Sequence, residues 1–156
     1  MGWPDSAQYT ERESQYLEEE THTLSEVLSS LEREPEKPLV LDTTGSVIYT
    51  GNNLLLRLRR RMTVVYLAAS AEEQELLVER YLSAPKPVLW RGAFQPKQGE
   101  TPRETVARCY PLLISARRQG YEALAHCTLK VAELRDPALD AAAFLSKIRA
   151  QIERGR

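Results

Sequence analysis

Cysteine and histidine are scarce: Cys109, Cys127, His22 and His126 are the full complement. Two cysteines build no disulfide framework and read as reduced, buried thiols, which makes a cytoplasmic location the expectation. Two histidines far apart in the chain suggest no metal cluster. No apolar run approaches about 18 residues, so no membrane span is expected. The opening Met1-Gly2-Trp3-Pro4-Asp5 lacks the basic and apolar segments of a secretion signal. Charge of one sign is also missing. With a net charge of -1 the chain has no global reason to bind nucleic acid or an anionic membrane. None of its seven glycines precedes a lysine. The sequence therefore contains no Gly-x-x-x-x-Gly-Lys-Ser/Thr, the loop that cradles nucleotide phosphates with backbone amides and a lysine.

What is present is an ordinary apolar and charged content spread over 156 residues, enough for one compact domain with a real core. Residues 1–9 are polar and read as poorly ordered. Thr10-Glu11-Arg12-Glu13 has capping-box spacing and opens a helix. Tyr16, Leu17, Leu24, Val27, Leu28 and Leu31 form its buried stripe, and Glu18, Glu19 and Glu20 a solvated face. Pro35 ends that helix. Asn53–Arg61 is a second helix with an apolar leucine face and a local arginine cluster. That cluster has no aromatic platform for bases, so it does not argue for nucleic acid.

Thr63–Ala69 reads as a strand. Ser70-Ala71-Glu72-Glu73 caps a helix running to about Leu82, and Thr101-Pro102-Arg103-Glu104 starts another, kinked at Pro111. Between them, 88–101 has no sustained period and reads as a lid-like loop. Ala125–Val131 is the next strand, and a last helix opens at Asp136–Asp140.

The stretch from Pro38 to Gly51 organises the rest. Leu39-Val40-Leu41 reads as a short buried strand that ends on Asp42, followed by Thr43-Thr44-Gly45-Ser46. An acid at the carboxyl end of a buried strand, before small polar residues, is how phosphate-transfer enzymes present a magnesium-binding carboxylate. Strand, helix and strand then make a crossover unit of the kind that builds parallel sheets. The alternative reading of Asp42 is a loop residue capping a turn.

In this order the elements resemble the shikimate kinase family of P-loop kinases, from just after its second strand to its end. The resemblance spans roughly Thr10 to Ile152. Arg12 falls where that family has an arginine holding the substrate carboxylate, although Glu11 and Gln15 replace the usual flanking residues. Thr44-Gly45-Ser46 falls on the family's glycine triplet, with only Gly45 kept. Arg80 matches the adenine-stacking arginine. Lys86 stands in for the lid arginine that neutralises transferring phosphate, with Arg91 as a nearby substitute. Arg117 in Ala116-Arg117-Arg118-Gln119-Gly120-Tyr121 has the spacing of a second substrate-carboxylate arginine.

The resemblance implies an α/β fold, a three-layer α/β/α domain with a parallel sheet, lacking the first strand-loop-helix and the second strand. Residues 1–156 would form this single partial domain. It implies a phosphotransferase moving the terminal phosphate of ATP, with Mg2+ at Asp42, to a hydroxyl of a small carboxylated substrate. Arg12, Thr44, Gly45, Ser46 and Arg117 would bind the acid, Arg80 and Arg91 the nucleotide, and Asp42 and Lys86 would be catalytic. Without the phosphate cradle, two alternatives stay open: a non-catalytic, kinase-derived binding or interaction module, and a kinase for another small molecule or nucleotide. The missing first strand would leave a gap between the Leu39 and Val64 segments. Unpaired backbone groups there cost on the order of 1–3 kcal/mol each, so a missing amino-terminal segment, marginal stability or self-association is expected.

Overall fold

The computed structural model describes residues 3–84 and 86–155. Five α-helices and two strands follow in the order α1 (Tyr9–Arg33), α2 (Asn52–Arg61), β1 (Val65–Ala68), α3 (Ala71–Ser83), α4 (Pro102–Leu124), β2 (Cys127–Lys130) and α5 (Ala141–Arg154). Short 3-10 turns lie at Val47–Tyr49 and Val131–Leu134. The strands pair in parallel, Val65 opposite Cys127 and Ala68 opposite Lys130. The fold is thus α/β with a parallel sheet, but the sheet has two strands. Leu39–Leu41 forms no strand. The segment runs without regular structure, with Val40 95% exposed, because no neighbouring strand supplies hydrogen bonds.

Local chemistry explains most helix boundaries. Ser70 and Glu73 make a reciprocal capping box at the start of α3, and Thr101 and Glu104 make another before Pro102 of α4. Asp140, rather than Asp136, caps the last helix, accepting from the Ala143 amide at 2.7 Å. α1 departs from expectation. It starts at Tyr9, Gln8 offers no side-chain cap, and Glu13 is drawn away from Thr10 into the protein. The segment before it also differs, since Ser6 N–H bonds to Trp3 C=O and Tyr9 is buried.

The arginine cluster of α2 is engaged within the fold. Arg57 grips Glu32 of α1 through two parallel bonds of 2.8 Å and also reaches Ser29. Arg59 Nη1 donates to the carbonyls of Ala123, Leu124 and Ala125, neutralising the carboxyl end of α4 without a glycine. Just beyond, the Val64 amide donates to His126 Nδ1 at 2.9 Å, joining the entries to β1 and β2.

Two apolar cores result. One gathers Tyr9, Tyr81, Trp90, Val106, Cys109 and Leu113. The other gathers Leu24, Leu28, Val47, Leu58 and Leu124. α4 contributes to both. Between the Leu39–Gly45 segment and Thr63–Leu67 lies a cavity of about 700 Å³, lined also by Phe144, Leu145, Ile148 and Ile152 of α5. No helix among the described residues is long and apolar enough to cross a membrane.

Two outcomes follow from this packing. Trp90 is 2% exposed at the centre of the first core. Trp90→Ala should lower the unfolding free energy by about 3–5 kcal/mol in urea titration. Burial, aided by Arg59, lowers the His126 pKa. The folded state thus favours neutral imidazole, so stability is full above the unfolded value of about 6.5 and falls as pH drops below it. Thermal melts from pH 7.5 to 5 should show this slope, and His126→Asn, which keeps an acceptor but does not titrate, should flatten it.

Candidate functional site

The site begins with the grip of α1 on the 88–91 segment. The Tyr9 hydroxyl shares its proton between Val88 C=O at 2.6 Å and Glu13 Oε1 at 2.9 Å, and accepts from Trp90 N–H at 2.9 Å. Burial, with Glu13 alongside, raises the Tyr9 pKa well above its ordinary value, so the hydroxyl stays protonated. Glu13 Oε1 also accepts from Arg91 N–H at 2.9 Å. Farther on, Arg108 binds Glu100 at 2.6 Å and reaches Gln95 C=O. The guanidinium holds the Glu100 carboxyl down to about 2. The stretch 88–101, expected as a lid, is therefore pinned shut with Leu89 and Trp90 in the interior.

This arrangement delivers two arginines to one aromatic ring. Arg117, on α4, donates from Nη2 to Leu89 C=O at 2.7 Å, and its guanidinium carbon lies 5.7 Å from the centre of the Tyr49 ring. The Arg91 guanidinium carbon lies 5.9 Å from the same centre. Both distances fall within cation–π range. Tyr49 is brought there because Gly120, one turn beyond Arg117, lets Ile48 pack directly on α4. A Cβ at Gly120 would come within 2.9 Å of Ile48 Cδ1. Gly45 completes the group. A Cβ there would meet Arg117 Nη1 at 2.9 Å, and the Gly45 carbonyl accepts from Tyr121 OH at 2.5 Å.

Among the described residues no carboxylate lies within ion-pair reach of Arg117, and its buried Nε has no hydrogen-bond partner. Arg91 meets one acid, Glu13, at a loose 3.9 Å.

The sequence-derived candidates divide. Gly45, Arg117 and Arg91 converge. Asp42 is exposed at the rim of the large cavity and of a second one of about 310 Å³ beside Glu20. Thr44 and Ser46 are structural ties: both hydroxyls donate to Glu20, Ser46 at 2.6 Å, which turns that acid inward from the expected solvated face. Arg12 is exposed and donates to Gln8, at the N-cap of its own helix, at 2.6 Å. Lys86 and Arg80 are exposed, and neither side chain makes a polar contact among the described residues.

Glu13 and Tyr49 were missed. The i,i+4 spacing of Tyr9 and Glu13 was the available signal for the first, whereas nothing in the sequence marks Tyr49. The residues present do not make a cradle for Mg2+ and ATP. Asp42 shares the lining of the smaller cavity with Glu19 and Glu20, but no group of three His, Cys, Asp or Glu side chains that could hold a metal ion gathers among the described residues.

Comparison of the chain with protein-family models, curated proteins and solved structures gives no match.

Gly45→Ala should push the Arg117 guanidinium off the loop while costing about 1 kcal/mol, the low end of overpacking, because the far end of a flexible side chain yields first. A changed Arg117 Nε resonance with a melting midpoint lowered by only about 2–4 °C is the expected readout.

Proposed function

We propose that this chain carries the acid-binding side of a shikimate-kinase-like phosphotransferase and holds the carboxylate of a small hydroxy acid at Arg117 against Gly45. The observation that supports it most is the Arg117 guanidinium beside Gly45, which meets no carboxylate among the described residues and whose Nε has no hydrogen-bond partner. A guanidinium fork is suited to a carboxylate, and a glycine allows the ligand and the backbone to approach closely.

The chain binds in this reading and does not transfer phosphate unaided. Its sequence holds no phosphate-cradling loop. The pinned 88–101 segment favours the second reading, a kinase-derived binding module with no lid to close. Both share the acid site and differ in turnover.

Isothermal titration with shikimate and a panel of small hydroxy acids tests the shared site. Saturable binding of at least one acid is expected, weakened at least about tenfold by Arg117→Ala, the loss of a charge-assisted pair. Binding untouched by that substitution, or no binding across the panel, removes the reading. Phosphate transfer from ATP by the chain alone would overturn the non-catalytic assignment.

A further inference from the structure

We propose that Arg91 and Arg117 together form a site for a doubly charged oxyanion, with Tyr49 as their shared contact and Glu13 as the residue that positions Arg91. This rests on the acid-binding reading of Arg117 and adds a second cation to it.

The backbone at Arg91 is the first observation. Ala93 N–H bonds to Trp90 C=O at 2.8 Å, closing a four-residue turn, with φ of 48° at Arg91 and 79° at Gly92. Two successive positive φ angles are those of a type I′ turn, whose first central position favours glycine, asparagine or aspartate. Arg91 is the one non-glycine residue with positive φ among those described. An arginine there is strained, and such strain persists where the surroundings over-determine it. Here they do, because the buried Glu13 accepts from the Arg91 amide.

The side chain gives the fold little in return. It is 42% exposed, and its nearest acid oxygen, at 3.9 Å, is beyond hydrogen-bond distance. What the arginine does achieve is a second guanidinium 5.9 Å from the Tyr49 ring centre that Arg117, whose Nε is unpartnered, also approaches. Like charges brought to one ring without bridging acids repel each other. A phosphate or sulfate dianion has enough oxygens to engage both forks, whereas a monocarboxylate satisfies one. Glu13 sets where Arg91 stands, and its charge opposes the ligand.

The test is NMR of the arginine Nε resonances during titration with inorganic phosphate, sulfate and acetate, at constant ionic strength and pH 7.5. Phosphate and sulfate should shift both Arg91 and Arg117 saturably, with acetate at least about tenfold weaker. Arg91→Asn suits the turn better, so it should raise the melting temperature while weakening phosphate binding at least about tenfold. Arg91→Lys, which keeps the charge, should retain part of the binding, and Glu13→Gln should tighten it several-fold. If Arg91→Asn leaves phosphate affinity unchanged, or only Arg117 responds, the paired site is wrong while acid binding at Arg117 stands. No saturable response to either dianion also overturns it, whatever the hydroxy-acid titrations show.

Discussion

The hold of Tyr9 and Glu13 on residues 88–91 is the constraint from which the rest of the site descends. One hydroxyl and one carboxylate, a helical turn apart on α1, capture a carbonyl and two amides of an otherwise irregular segment. Buried backbone groups must find partners, and here side chains supply what a sheet would otherwise provide. With the segment fixed, Trp90 fills the first core, Leu89 C=O anchors Arg117, and Arg91 is thrown toward Tyr49. Packing and the candidate chemistry therefore share one set of contacts.

The second half of the molecule is less complete. A parallel sheet is ordinarily covered on both faces and flanked by further strands. Here β1 has a partner on one side only, and consecutive residues of β1 and of the Leu39–Gly45 segment face each other across an apolar cavity. α5 has no buried residue, and its apolar side lines that cavity. The second core stops at its rim, at Val47, Leu58 and Leu124. The acid site borders this cavity at Gly45, whereas Arg117, Arg91 and Tyr49 lie outside its lining.

Elements governed by local rules were legible in the sequence. The boxes at Ser70 and Thr101, the proline at α4's start and the leucine stripe of α1 all act within one or two turns. The strands at Val65 and Cys127 were recognisable as apolar runs, though each three residues too long. Leu39–Leu41 failed because an apolar run becomes a strand only beside another strand. The Thr10–Glu13 signal failed because a carboxylate can serve either its own helix end or a distant amide, and Arg91 N–H won. Of the site, Gly45, Arg117 and Arg91 were visible as residues of suitable chemistry. Their convergence on Tyr49 depends on the close approach at Gly120, a contact between distant parts of the chain that no periodicity encodes. Arg12, Lys86 and Arg80 have the right charge and are exposed, Arg12 being bonded to Gln8.

The pairing of β1 with β2 has a kinetic consequence. The two strands touch along their length, yet residues 69–126 separate them in the chain. Closing so long a loop costs entropy before any ladder bond forms, and contacts of this kind set the pace of folding. The helical pairs α1–α2 and α3–α4 join partners nearer in sequence. The ladder, with His126 and Arg59 at its mouth, carries that closure cost, as does the still longer closure between Tyr9 and Trp90, and until it forms the stretch from Thr63 to Leu67 is an unpaired apolar edge on which newly made chains can stick to one another.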